Sequence, residues 1–173
     1  MMKYAFKQDN VVKAYGKDLP ISRKHGYELA NFLRYKPVNR VIRELEEIMK
    51  LKLAVPFKRY NGDVGHRTKI GPGRYPVKAA KYFLKVVKNA INNAKQKGLN
   101  VDELYVVHLS THKASTPLSS GRRHRSTKRL HVQVALGNFD ALPKRIQNKL
   151  NNKSKNSKLK EIKNDEKKKV EKQ

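Results

Sequence analysis

Between Leu104 and Phe139 the chain has no aspartate or glutamate, yet it carries Lys113, Arg122, Arg123, Arg125, Lys128 and Arg129. These cations lie between two segments that alternate with period two. On the outgoing side Tyr105, Val107 and Leu109 alternate with Val106, His108 and Ser110. On the returning side Leu130, Val132, Val134 and Leu136 alternate with His131, Gln133 and Ala135. Such alternation marks half-buried strands, so residues 104–137 read as a long β-hairpin with a cationic tip. An isolated hairpin is marginal in water. This one has no apolar face beyond its base, and its charges repel one another. At about 3.4 Å per residue its arms allow a projection of at most roughly 50 Å. Something large and negatively charged has to hold it extended, and folded RNA answers that description.

The rest of the chain is basic too. Its 173 residues suit one domain with extensions. The formal charge is +27, from 41 Lys+Arg against 14 Asp+Glu, which strains a compact monomer and favours a polyanion partner. From Lys144 to Gln173 the composition turns to Lys, Asn and Ser, with apolar residues too sparse to pack. That segment holds +8, so residues 1–143 keep +19. The expected organisation is an RNA-binding domain over 1–137, hairpin included, and a basic low-complexity tail over 138–173. The absence of cysteine removes disulfides, thiolate metal sites and Cys nucleophiles together. No run approaches the roughly 18 apolar residues of a membrane span. The start, MMKYAFKQDN, lacks the apolar core of a secretion signal. A cytoplasmic protein with no membrane partner is expected.

Along the chain, residues 11–15 suit a short strand, and Gly16-Lys17-Asp18-Leu19-Pro20 is turn chemistry. Ser22 is placed to cap a helix over 23–33, with Leu29, Ala30 and Leu33 inward and Arg23, Lys24 and Arg34 outward. After Pro37, the spacing of Val38, Val41, Ile42, Leu45, Ile48 and Met49 predicts an amphipathic helix. Its pairs Arg40–Glu44, Arg43–Glu47 and Glu46–Lys50 make its acids a solvated face rather than a metal or acid/base site. Residues 54–75 read as a loop, with four glycines and with Lys58, Arg59, Arg67, Lys69 and Arg74 beside Phe57, Tyr60 and Tyr75. Glycine permits close backbone approach to phosphate, and the rings offer stacking faces. The loop lacks the Gly-Lys-Ser/Thr of a nucleotide-binding P-loop. Residues 76–97 form the clearest helix, bounded by Pro76 and Gly98. Lys78, Lys81, Lys85 and Lys88 line its outer side with no acidic partner in the helix.

The candidate RNA contacts are therefore Arg23, Lys24, Lys58, Arg59, Tyr60, Arg67, Lys69, Arg74, Tyr75, Lys78, Lys81, Lys85, Lys88, His108, His112, Lys113, Arg122, Arg123, Arg125, Lys128 and Arg129. Metal binding is not expected. His108 and His112 would stand about 13 Å apart on a strand, and no carboxylate is close in sequence. Ser119, Ser120 and His124 lack an acid to orient a base. No cofactor loop or acid/base pair suggests an enzyme acting on RNA. A chromatin-like DNA-binding protein shares the charge, but no helix-turn-helix or dimer signature accompanies it.

Several motifs carry a more specific message. They are Gly16-Lys17-Asp18-Leu19-Pro20-Ile21-Ser22 with Lys24-His25; residues 54–61, AVPFKRYN, with Val64-Gly65-His66-Arg67; and residues 73–80, GRYPVKAA. Lys88-Asn89-Ala90, Asn93-Ala94, Lys97-Gly98-Leu99, His108 and His112-Lys113 complete them. In this order and spacing, from about Val11 to Leu136, the chain resembles the universal L-twenty-two family of large-subunit ribosomal proteins in its archaeal and eukaryotic branch, the archaeal form more closely. The resemblance implies an α+β fold: three helices packed on a small three-stranded antiparallel sheet, with a long β-hairpin extension and a basic C-terminal tail. It implies no catalysis and no cofactor. The implied partners are large-subunit ribosomal RNA, neighbouring ribosomal proteins and, at the hairpin tip, the nascent peptide. The body would lie near the outlet of the peptide exit tunnel and the hairpin would line its wall. Residues 114–127 and the tail depart from the family pattern, so contacts by Arg122, Arg123 and Arg125 rest on charge alone.

Overall fold

A computed structural model of the chain describes residues 4, 6, 8, 11–118, 122 and 124–152. The chain divides into two units, Met1–Ala141 and Leu142–Gln173. The first is built in the order β1 (Val12–Leu19), α1 (Arg23–Leu33), α2 (Val38–Met49), β2 (Val55–Pro56), β3 (His66–Arg67), β4 (Gly71–Arg74), α3 (Val77–Gln96), β5 (Tyr105–Lys113) and β6 (Leu130–Gly137). Short 3-10 turns occupy Val101–Glu103 and Phe139–Ala141.

The main sheet has the antiparallel order β1-β6-β5. Helices α1 and α3 pack directly on it and α2 packs on α3, which gives the α+β arrangement of three helices with a three-stranded sheet that the resemblance implies. The core joins Leu29 and Leu33 of α1, Val41, Leu45 and Ile48 of α2, and Ala80, Phe83, Val87 and Ile91 of α3 to Val12, Leu109, Val132, Val134 and Leu136 of the sheet. Gly26 lets α1 lie directly on Leu130, because a Cβ there would collide with that side chain. Helix α3 ends as its sequence suggests. Gly98 takes φ +71, and Leu99 N–H donates to Ala94 O at 3.1 Å.

Several expectations are corrected. Residues 16–20 do not turn: β1 runs on to Leu19, paired with Leu130, and the turn-forming residues instead make an irregularity between Gly16 and Leu19. Asp18 takes φ 49 there, a conformation Asp tolerates. Strand β6 is not half-buried. It is the central strand, and every residue from Val132 to Gly137 is buried, with Val11, Val107 and Ala141 packed around Gly137 at its end. The register shift between Val106 and His108 makes Val106 and Val107 both buried, against simple alternation. Residues 54–75 are not only loop, since they hold a second antiparallel sheet in the order β2-β4-β3.

On α2, Arg40–Glu44 and Arg43–Glu47 pair at 2.8 and 3.7 Å, while among the described residues the Glu46–Lys50 pair is absent. Glu44 is buried rather than solvated, and it also holds Lys36 at 2.6 Å. Arg34 does not face outward. Its Nε and Nη2 both donate to Leu109 O, at 3.2 and 2.7 Å.

Beyond the sheet the hairpin is a shorter arm. Ala114 N–H donates to Arg129 O, Thr127 N–H donates to Pro117 O, and Leu118 bridges to Ser126. In the second unit, residues 144–152 are helical. Pro143 O accepts from the N–H groups of Ile146 and Gln147 at its start. The expected low-complexity character of 153–173 lies outside the described residues. No described helix is long and apolar enough to cross a membrane.

Candidate nucleic-acid interface

Glu28 organises the most cationic region. It sits on α1, 2% exposed, and its carboxylate accepts from the backbone N–H groups of Lys58, Arg59 and Tyr60 at 3.2, 2.8 and 2.8 Å. One buried acid thus fixes the start of the glycine-rich segment against the helix. With that backbone fixed, the Arg59 guanidinium lies 5.1 Å from the Tyr27 ring and 5.7 Å from the Tyr60 ring. The two tyrosines meet edge to face at 5.6 Å, and Lys24 Nζ is 5.9 Å from Tyr60. Hydrogen bonding with Asn31 and Arg59 holds the Tyr27 hydroxyl below its usual pKa, and bonding to Tyr27 raises that of Arg59. These contacts orient the cation-bearing side chains before any ligand arrives.

A cleft of about 820 Å³ opens beside this cluster. Its walls come from the head of α1, from residues 57–64, from β4 and from both sides of the hairpin arm. It brings together Arg23, Lys24, Arg59, Tyr60, Arg74, Lys113, Lys128 and Arg129, all sequence candidates, with Asp63 the single carboxylate in the lining. Arg74 Nη2 donates to the carbonyl of Asp63 at 3.2 Å. Seven cations in one concavity repel one another unless an anion occupies it.

The remaining candidates fall elsewhere. Lys58 and Lys69 are exposed on the segment before β4. Arg67 covers the Tyr75 ring at 5.2 Å. Tyr75 and Lys78 border a neighbouring depression. Lys81, Lys85 and Lys88 are exposed on α3 and do not line the cleft. His108 stacks on Phe6 with ring centroids 4.9 Å apart, and burial, with Arg34 and His112 nearby, lowers its pKa. His112 is exposed and meets Ser110 Oγ at 3.2 Å. Arg122 and Arg125 are exposed on the arm. Arg123, Ser119 and Ser120 lie outside the described residues. A third hairpin histidine, His131, does meet an acid. Asp18, distant in sequence, donates its N–H to His131 Nδ1 at 3.2 Å, and its Oδ1 stands 3.8 Å from Nε2. Among the described residues no three potential ligands gather as a metal site.

Sequence reasoning missed Glu28 and His25 as site residues. An acid on a helix reads as surface until the partner backbone is known. His25 lines the cleft and meets Phe57 edge to face at 5.6 Å. Its burial, and then Arg74 and Lys128, depress its pKa, so it is a neutral ring among cations.

A basic α+β body that gathers seven cations around one cleft defines a class of strongly basic protein suited to a polyanion, and comparison with known proteins makes the assignment specific. The family model described as Ribosomal protein L22p/L17e matches residues 14–137, and the chain belongs to that family, whose members are structural and non-enzymatic. The large ribosomal subunit protein uL22 of Nanoarchaeum equitans is 37% identical over 143 residues, covering 77% of this chain and 82% of that protein. That of Archaeoglobus fulgidus is 42% identical over 118 residues, covering 65% and 76%. The protein of the same name from Zea mays is 38% identical over 143 residues, covering 78% and 80%. Identity alone therefore does not separate the archaeal from the plant relatives.

Proposed function

We propose that this chain, a structural constituent of the large ribosomal subunit in the cytoplasm, binds large-subunit ribosomal RNA through the cationic cleft and the hairpin arm. In this reading Arg23, Lys24, Arg59, Arg74, Lys113, Lys128 and Arg129 neutralise phosphates where RNA crosses the cleft. Tyr60 offers a stacking face, and the α3 lysines and Arg122 and Arg125 meet RNA at the periphery. The body lies near the outlet of the exit tunnel beside neighbouring ribosomal proteins. The arm runs inward along the wall, with its tip at the nascent peptide. The observation that carries the RNA assignment is the convergence of cations from residues 23, 59, 74, 113 and 128 on one concavity that continues onto the arm. The tunnel placement draws its support from family membership.

Sedimentation of a lysate tests the assembly. The chain should travel with the large subunit and move to the top of the gradient after ribonuclease treatment. Sedimentation as a free protein in both cases would refute the reading. A photoreactive group on a stalled nascent peptide should cross-link to the arm near Arg122, and cross-links confined to other proteins would refute the tunnel placement.

A further inference from the structure

The cationic cleft continues into a second depression. Ser22, His25 and Lys128 line both. The second, of about 690 Å³, is mostly apolar, with Pro20, Ile21, Tyr75, Pro76 and Val77 forming its surface and Ser126 and Thr127 of the returning arm closing its side. Val77, at the head of α3, leaves 37% of its surface exposed there. Cleft and shelf thus differ in chemistry and share Ser22, His25 and Lys128; of these, the neutral His25 imidazole can donate through one nitrogen and accept through the other.

Duplex RNA would use only half of this arrangement. Its phosphates suit the cleft, but its base faces are stacked inside the helix and the shelf would touch nothing. An unpaired nucleotide presents both surfaces at once, and side-chain recognition of RNA relies mainly on such splayed bases. We propose that cleft and shelf form one binding site for an unpaired, unstacked nucleotide of the bound RNA. Its phosphates lie against the cleft cations and its base lies on the shelf beside Tyr75 and Val77. His25 hydrogen-bonds the ribose 2′-hydroxyl between them. This rests on the RNA-binding reading above and adds which feature of the RNA is read.

The test uses the full chain and three RNAs: a continuous duplex, the same duplex with one bulged uridine, and the same duplex with an abasic residue at the bulge. Dissociation constants are measured at one fixed salt concentration, and salt dependence is recorded for each RNA. The bulged uridine should bind about tenfold tighter than the abasic bulge, as base stacking would give. That ratio should fall to near one in Val77→Trp, which fills the shelf from an exposed position, whereas His25→Ala should weaken both bulged RNAs several-fold and keep the ratio, because the abasic residue retains its ribose 2′-hydroxyl. Circular dichroism confirms that both variants fold. A ratio near one in the unsubstituted chain, or one that survives in Val77→Trp, overturns the inference while steep salt dependence for all three RNAs leaves the RNA reading standing. Absence of salt-dependent binding to any of the three overturns both.

Discussion

Glu28 shows how one residue can count against its own charge. It is an acid beneath a cationic cleft, so a purely electrostatic account expects its removal to strengthen RNA binding. Its geometry requires the opposite, because it ties down the backbone that carries Lys58, Arg59 and Tyr60. Glu28→Ala should cost about 2–3 kcal/mol of stability, the scale for losing charge-assisted hydrogen bonds to buried N–H groups. It should also weaken RNA binding. Denaturant titration and a binding isotherm check the two effects, and tighter binding would show that only net charge matters. The histidines give a second prediction at this scale. Burial first, then neighbouring cations, hold His25 and His108 below the ordinary value of 6.5. As pH falls through about 6.5, the unfolded chain takes up protons before the folded chain does. Stability is therefore full above that pH and declines below it, until the folded-state values are passed. The denaturation midpoint should drop between roughly pH 7.5 and 5.5, and less so in His108→Phe, which keeps a ring stacked on Phe6. A midpoint that rises on acidification would contradict this. Of the site residues, the cations and Tyr60 were legible because charge and glycine-rich context are local properties. Glu28, His25 and the inward turn of Arg34 were not, since each is defined by a backbone group or ring far away in sequence.

Among the elements, the helices were the most legible. Helix α1 starts just past Ser22, although that side chain makes no capping hydrogen bond, and it carries the expected Leu29, Ala30, Leu33 stripe; the bounds of α3 follow from Pro76 and Gly98. The strands were less so. Alternation cannot reveal that β6 is central and covered on both faces, because Ala135 and Gln133 are compatible with either environment. Nor can it show that β1 joins the hairpin at its base. The mechanics change accordingly: β5 and β6 belong to the core, and the arm starts only past Lys113. Hydrogen exchange should divide at that boundary. Amides of Val132 to Leu136 should be protected in the isolated protein and those of the arm should exchange quickly, gaining protection when RNA is added. Arm amides protected equally without RNA would remove the need for a polyanion to hold it. Helix α2 offers a parallel test. Lys36 is held by Glu44 at 2.6 Å and lies 3.5 Å from the centre of the Phe32 ring, and burial lowers its pKa despite the pairing. Glu44→Gln leaves that cation without its counter-ion and should cost about 1–3 kcal/mol, less than the roughly 3–5 kcal/mol of a fully buried broken pair because Lys36 is partly solvated. Lys36→Met in the same background should recover most of the loss, as read by the denaturation midpoint. No recovery would mean that the pair contributes through geometry rather than charge.

At the scale of the molecule, +27 divides opinion between a charged object and a shaped one. Charge alone predicts binding to any polyanion from every side. The fold predicts one cleft, framed by α1, the small second sheet and the arm, where five separated parts of the chain bring their cations together. Each phosphate neutralised there should release counter-ions and steepen the salt dependence by roughly 0.7–0.9 in the logarithmic slope. The decisive measurement is that slope for a large-subunit RNA fragment, compared between a cleft variant, Arg59→Gln with Lys128→Gln, and a variant matched in charge on α2 and at its C-terminal cap, Arg43→Gln with Lys50→Gln. The cleft variant should lose between one and two units of slope, about the value for two phosphate contacts, while the α2 variant keeps the slope of the unsubstituted chain. Equal losses in the two would mean that the protein is read by RNA only as a cloud of positive charge.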